Sequence, residues 1–127
     1  MPSSISRPAS SDRAWLLALL WSGLMAGPLA WAALLEVNYV LSYVSCELRT
    51  KWMLHASTAV ALVLVALGAA AAWRGWTAVS ADEAGPEDLR VARARNMAIG
   101  GLALCAWFAL VIVATEIPVM VLRPCTP

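Results

Sequence analysis

The sequence predicts an all-α membrane protein with three transmembrane helices. Three apolar runs, at about 14–45, 52–73 and 97–122, each reach the roughly 20 residues that a span needs. Apolar residues make up 61% of the chain and charged residues 13%, a balance that soluble domains of this size do not show. We therefore expect a flexible, Ser- and Pro-rich tail over 1–13 and a single three-helix domain over 14–127.

The first span is longer than a bilayer requires. Its apolar run, 14–44, would measure roughly 46 Å as a straight helix, whereas the hydrocarbon core is roughly 30 Å thick. Gly27-Pro28 stands near its middle. Because proline lacks the N–H donor and crowds the preceding turn, we expect a bend there. A competing interpretation is a secretory signal peptide, with Arg7 and Arg13 as its basic region and Ala30-Trp31-Ala32 as its cleavage site.

Two polar segments separate the spans. A short turn, 47–51, joins the first two, and a longer segment, 74–96, joins the second to the third. Gly85-Pro86-Glu87-Asp88 is typical of a helix start, since proline suits the first turn and acids suit the positive end of the dipole. Small residues at Gly68 to Ala72 and at Gly100-Gly101 predict close helix packing, because they let helices approach each other in lipid.

The distribution of basic residues predicts the orientation. The tail and the 74–96 segment share one side of the membrane and hold Arg7, Arg13, Arg74, Arg90, Arg93 and Arg95, and the other side holds Arg49, Lys51 and Arg123. Cytoplasmic loops carry an excess of Lys and Arg. We therefore expect a multi-pass protein of the bacterial inner membrane, with a cytoplasmic N-terminus, a cytoplasmic 74–96 loop and a periplasmic C-terminus.

Two of the three cysteines fall on the predicted periplasmic side. Cys46 ends the first span and Cys125 follows the third. Because that compartment is oxidising, we predict a Cys46–Cys125 disulfide. A metal pair is the alternative, although two cysteines without further ligands make a weak site. Cys105 lies inside the third span, where it is expected to act as a small packing residue.

Polar side chains occur within the apolar spans. Glu36, Tyr39 and Tyr43 follow the spacing i, i+3, i+7, which is one face of a helix. A charged group in a bilayer is costly unless it faces protein or water, so we expect something to pack on this face. The predicted intramembrane polar cluster comprises Glu36, Asn38, Tyr39, Tyr43, His55, Thr58 and Glu116.

The cluster is open to more than one interpretation. Counted from the outer cysteines, Glu36 and Glu116 lie at matching depths of roughly 13–15 Å, with His55 shallower. Hydrogen bonds across the helices, or to a partner subunit, would hold the helices in register. A proton path or a quinone head-group site is the alternative. His55 is also a candidate haem ligand, with Met25, Met53 or a partner's residue in the second axial position.

Other functions are disfavoured. The sequence has no phosphate-binding glycine loop, no HExxH, no CxxCH and no nucleophile with an identifiable base, so we do not expect an enzyme acting on its own. The formal net charge of +1 and the lack of a basic stripe argue against a nucleic-acid partner. No cofactor is predicted beyond the open alternatives of haem and quinone.

A spaced set of Gly, Pro, aromatic and Cys residues runs through 27–125. Gly-Pro-x-x-Trp is followed by a Tyr eleven residues after the Pro and by a Cys seven further on. The set comprises Gly27, Pro28, Trp31, Tyr39, Cys46, Leu54, His55, Gly68, Trp73, Arg74, Ile117, Pro118, Leu122, Arg123, Pro124 and Cys125. In this pattern the chain resembles small uncharacterised bacterial membrane proteins that are encoded beside haem–copper cytochrome oxidase subunits. It departs from them at Leu34, where they carry a His, and this weakens a two-His haem site.

The resemblance implies a setting in a respiratory complex. We expect a non-catalytic accessory subunit of a bacterial respiratory electron-transfer complex, associated with a cytochrome oxidase and in contact with lipid and with other subunits. The alternatives are a quinone- or proton-path protein using Glu36, Glu116 and His55, a small haem-binding membrane protein, and a transient oxidase assembly factor.

Overall fold

The computed structural model describes residues 10–81 and 88–122, and its regular structure there is entirely α-helical. The three helices are α1 (Ser10–Leu48), α2 (Trp52–Ser80) and α3 (Leu89–Val121). Each is long and apolar enough to cross a membrane, by length and composition. The predicted class, an all-α protein with three candidate spans, is therefore confirmed, and this is the architecture of a multi-pass membrane protein.

The helices extend beyond the predicted spans. α1 begins at Ser10 rather than at residue 14, so the end of the predicted tail is helical, and 1–9 lie outside the described residues. α2 continues past residue 73 to Ser80, and α3 begins at Leu89, eight residues before the predicted third span. Hydropathy marks where a helix could leave the membrane, whereas the helix itself can continue beyond that point, as α3 does through the Ala- and Arg-rich segment 89–96.

The start of α3 and the end of α1 are fixed in different ways, the first by a side-chain cap and the second by a left-handed backbone conformation. Asp88 is the N-cap of α3, and its side chain accepts a hydrogen bond from the backbone N–H of Arg90 at 2.9 Å. This agrees with the helix start predicted over 85–88, of which 85–87 lie outside the described residues. Between α1 and α2, Arg49 has a φ of 51°, the left-handed conformation that commonly ends a helix.

α2 is the central element of the packing, because its buried residues follow a seven-residue repeat. The buried residues are Leu54, Thr58, Ala61, Val65, Gly68, Ala72, Gly75 and Val79. Their spacing alternates between four and three, which is the seam of a left-handed helix bundle. α1 buries Leu20, Gly23, Gly27, Ala30 and Leu34 at similar spacings, and each helix contacts both others.

Glycines bring the helices closest in the half of the bundle that contains the start of α1. A Cβ on Gly23 would lie 2.7 Å from Ala72 Cβ, and one on Gly101 would lie 3.2 Å from the backbone carbon of Gly23. Gly68 packs against Ala26 with no room for a side chain. The predicted close approach through small residues is therefore observed, and all three helices take part in it.

The core beside these contacts is apolar. Cys105 is a buried free thiol whose Sγ donates to the carbonyl of Gly23 at 3.3 Å, which confirms it as a packing residue. The core cluster comprises Ala30, Leu34, Ala61, Val65, Cys105 and Ile112. Large apolar side chains such as Leu67, Trp107 and Leu110 are exposed on the outside of the bundle, as lipid contact requires.

α1 is helical without interruption through Gly27 and Pro28. The proline therefore does not divide it into two separate helices, and the bend expected there remains a prediction. Gly27 lies against α3, since a Cβ at this position would be 3.1 Å from Phe108 Cδ2.

Candidate functional site

All seven predicted polar residues lie in the half of the bundle where α1 ends, α2 begins and α3 ends. We refer to this half as the Leu48 end. The structure divides the seven residues into three groups. One lies between α2 and α3, one between α1 and α2, and one on the outside of α1.

The first group joins α2 to α3. His55 Nδ1 lies 3.3 Å from Glu116 Oε1, with the His55 side chain 44% exposed and the Glu116 side chain 14% exposed. Glu116 occurs on the buried face of α3, four residues after the core residue Ile112. Its other oxygen, Oε2, is enclosed and has no hydrogen-bond partner among the described residues. The pair is therefore a semi-enclosed acid and base with access from outside on the histidine side.

Lys51 adds a second link between the same two helices. Its Nζ donates to the carbonyl oxygens of Val119 at 3.0 Å and of Leu122 at 2.7 Å. These carbonyls belong to the end of α3, where intrahelical donors run out and the helix dipole is negative. Because Lys51 precedes His55 by one helical turn, the two side chains hold the end of α3 at two successive levels.

The second group joins α1 to α2. Ser57 Oγ donates to Asn38 Oδ1 at 2.6 Å, so the predicted polar role of Asn38 is an interhelical hydrogen bond. Thr58 is buried, and its hydroxyl donates to the carbonyl of Leu54 in its own helix at 3.1 Å. Thr58 is therefore satisfied locally and makes no described hydrogen bond to the other predicted residues.

The third group lies on the outside of α1. Tyr39 and Tyr43 are 65% and 64% exposed, and Glu36 is exposed beside them. Tyr43 Oη donates to Tyr39 Oη at 3.3 Å, and the two rings meet edge to face with centroids 5.6 Å apart. We call these three residues the Glu36 face. Within residues 10–81 and 88–122, no hydrogen bond or ion pair involves Glu36.

Helix periodicity explains why Glu36 is exposed. At about 100° per residue, Glu36 lies roughly 160–180° around α1 from the buried residues Gly27 and Leu34. In the described part of the chain, Glu36 therefore forms no hydrogen bond to α2 or α3, and its contact with a partner subunit stays a prediction. Glu116 points into the bundle and Glu36 points out of it.

Sequence reasoning missed Lys51 and Ser57. The signal was present for Lys51, which precedes His55 by four residues and so shares its helix face. Ser57 is a polar residue of the second span, but its partner depends on the register of α1 against α2. That register is set by the small-residue seam and cannot be read from α2 alone.

An apolar groove of about 260 Å³ runs between α1 and α2 beside the Glu36 face. It is lined by Ala30, Ala33, Leu34 and Val37 from α1 and by Ser57, Val60, Ala61 and Leu64 from α2. Ala33 precedes Glu36 by three residues and Val37 follows it directly, so both lie about 60–100° around α1 from Glu36 and connect the groove to the Glu36 face.

The predicted metal pair and the predicted disulfide both involve Cys46 and Cys125. Within the part of the chain that the structure describes, no group of three or more His, Cys, Asp or Glu side chains could hold a metal ion. Cys46 is half-buried near the end of α1, and Cys125 lies outside the described residues. The Cys46–Cys125 disulfide therefore stays a prediction.

Comparison with protein-family models, with curated proteins and with solved structures finds no significant match to this chain.

Proposed function

We propose that this protein is a non-catalytic accessory subunit of a bacterial respiratory electron-transfer complex, associated with a cytochrome oxidase, and that it docks through the Glu36 face of α1. The observation that carries the proposal is the exposure of a carboxylate on an apolar helix, directly opposite the surface that packs against α2 and α3.

The energetics favour a protein neighbour on this face. Glu36 precedes Leu48, the last residue of α1, by roughly 18 Å along the helix, well inside the apolar segment. On insertion scales a charged residue at the centre of a lipid-facing helix costs about 3 kcal/mol. A neighbouring subunit that hydrogen-bonds the carboxylate removes this cost. Tyr39 and Tyr43 suit such a contact, because a tyrosine combines a large apolar ring with a polar tip.

The respiratory setting is supported by the resemblance described above, to which Gly27, Pro28, Trp31, Tyr39 and Cys46 contribute. The orientation is supported by the helix arrangement. Among the described residues, five arginines lie within about two turns of the helix ends opposite the Leu48 end, which itself carries Arg49 and Lys51; the five are Arg13, Arg74, Arg90, Arg93 and Arg95. The positive-inside bias supports an orientation with the Leu48 end in the periplasm and the start of α1 in the cytoplasm.

Purification in mild detergent through a tag on the N-terminus, followed by mass spectrometry, tests this function. We expect oxidase or other respiratory subunits in stoichiometric amounts. Sub-stoichiometric recovery would favour a transient assembly factor. A clean homo-oligomer without partners would contradict the proposal.

A second candidate function is favoured by the contact between His55 and Glu116. An acid and a base 3.3 Å apart, with the histidine side open, suit a proton path or a quinone head-group site. Glu116→Gln separates the two roles, since lost turnover in a fully assembled complex would favour chemistry and lost assembly would favour a structural contact. A visible absorption spectrum of the purified protein tests the haem alternative at His55.

A further inference from the structure

We infer that the occupant of the Glu36 face is a transmembrane helix of a different protein that presents a Lys or Arg side chain at the depth of Glu36. This inference rests on the proposed docking function and specifies the chemistry of the partner. It follows from three features of the described residues: the unpaired carboxylate, the positions of this chain's own cations, and the groove beside Glu36.

Glu36 requires a donor that the described part of the chain does not supply. It makes no hydrogen bond or ion pair with any described residue, although Asn38, two residues away, is bonded to Ser57 on the opposite side of α1. Ionisable residues inside membranes pair with one another or with other polar groups. A cationic side chain gives a carboxylate the strongest such pairing, because both the charge and the hydrogen bonds are complementary.

The described Lys and Arg side chains of a second copy do not reach the depth of Glu36. The described Lys and Arg residues all lie within about two turns of a helix end or in the turn between α1 and α2: Arg13, Arg49, Lys51, Arg74, Arg90, Arg93 and Arg95. The hydrogen bond between Asn38 and Ser57 places Glu36 at the level of about residue 59 of α2, roughly 12 Å from Lys51 along that helix. Arg49 is roughly 20 Å from Glu36 along α1. Copies related by an axis along the membrane normal share the same depths, so they would place Glu36 opposite another carboxylate.

The groove lets a helix approach closely beside Glu36. Ala30, Ala33 and Ala61 contribute small side chains to it, and small residues are what permit close helix contacts in lipid. The groove continues onto the Glu36 face through Ala33 and Val37. A straight helix laid along α1 can therefore fill the groove and bring a basic side chain to Glu36 at the same time.

Site-specific photo-crosslinking in native membranes tests the inference. Tyr39, which is exposed and one helical turn from Glu36, is replaced by the photoreactive residue p-benzoylphenylalanine, and the cross-linked peptide is identified by mass spectrometry. The matched control places the same residue at Trp107, which is 63% exposed on α3. We expect position 39 to capture an apolar segment of another protein that contains a Lys or Arg within about one turn of the cross-link.

The possible results separate the two proposals. Capture of an apolar segment without a basic residue would overturn this inference and leave the docking function intact. Capture of a second copy, or of lipid alone, would overturn both. Glu36→Lys should reduce recovery of the partner at least tenfold, and exchanging the partner's basic residue for Glu should restore it. Glu47→Lys, the matched change at the exposed end of α1, should leave recovery within twofold of the unchanged protein.

Discussion

His55 Nδ1 lies 3.3 Å from Glu116 Oε1, one helical turn deeper than the two hydrogen bonds by which Lys51 holds the end of α3. These contacts cross the same interface, from the first two turns of α2 to the last two turns of α3. In the other half of the bundle, close van der Waals contacts at glycines hold the helices together. At the Leu48 end the helices are held by specific polar pairs instead, and these pairs can be removed one at a time.

A double-mutant cycle on His55 and Glu116 should measure a coupling of about 1 kcal/mol, the range found for hydrogen bonds between transmembrane helices. The variants are His55→Ala, Glu116→Ala and the double change, compared by unfolding in mixed detergent and denaturant. As a control, His55→Ala is combined with Thr77→Ala, whose hydroxyl bonds within α2 far from this pair. That control pair should be additive within about 0.3–0.5 kcal/mol. An equally additive His55 and Glu116 pair would show that their contact contributes nothing.

Lys51→Met should destabilise the end of α3 while leaving the rest of the bundle intact. The change removes the donor to the carbonyls of Val119 and Leu122, and hydrogen bonds from charged donors contribute about 1.5–3 kcal/mol when both partners are in place. Hydrogen exchange of the last turn of α3 is the measurement, and faster exchange there is the expected result. Lys51→Arg keeps a cationic donor and should retain most of the protection. Equal exchange in all three proteins would contradict the capping role.

The helical class and the approximate spans could be predicted from the sequence because lipid selects long apolar runs. The end of α2 at Ser80 could not, because it lies in a polar segment that continues as helix after the apolar pattern stops. The start of α3 could be predicted, because Gly85-Pro86-Glu87-Asp88 is typical of a helix start and Asp88 is the N-cap. The buried seam of α2 could not be predicted from hydropathy either. Nearly every residue of α2 is apolar, so hydropathy does not distinguish buried Val65 from exposed Val63. The alternating spacing of Ala61, Gly68, Ala72 and Gly75 was the usable signal.

The candidate site was predicted as a list of residues and not as an arrangement. Glu36 and Glu116 carry the same functional group, and only their positions relative to each helix's seam decide that one points out and the other in. Once the seam of α1 is known through Gly27 and Leu34, the exposure of Glu36 follows from periodicity alone. The pairing of Asn38 with Ser57 additionally requires the register between two helices, which one sequence does not contain.

Gly23→Ala should destabilise the protein by about 1–3 kcal/mol, the usual cost of overpacking. The added Cβ would lie 2.7 Å from Ala72 Cβ and 3.1 Å from its Cα, and neither atom can move without shifting α2. Gly100→Ala is the matched control, because the nearest atom to its Cβ is Leu24 Cδ1 at an ordinary 3.9 Å. That change should be neutral or stabilising by up to about 1 kcal/mol through helix propensity. Equal effects of the two changes on thermal unfolding would contradict the tight packing of α1 on α2.

Thiol counting should find one reactive cysteine in the denatured protein without reductant and three after reduction. Lys51, five residues after Cys46, is bonded to the carbonyl of Leu122, so the end of α3 lies at the turn that follows Cys46. Cys125 follows Leu122 by three residues, a reach of roughly 10 Å. An oxidising periplasm would then join Cys46 to Cys125 and leave Cys105 as the single thiol.

Three variants identify the thiols in that count. Cys46→Ser should give two reactive thiols without reductant, because Cys125 loses its partner, and Cys125→Ser should give the same number. Cys105→Ala should give none. Three thiols in the unreduced, otherwise unchanged protein would contradict the disulfide, and they would also weaken the proposed orientation, since a Leu48 end facing a reducing cytoplasm would keep all three cysteines reduced. The count therefore tests the bond and the side of the membrane together, without depending on the identity of any partner.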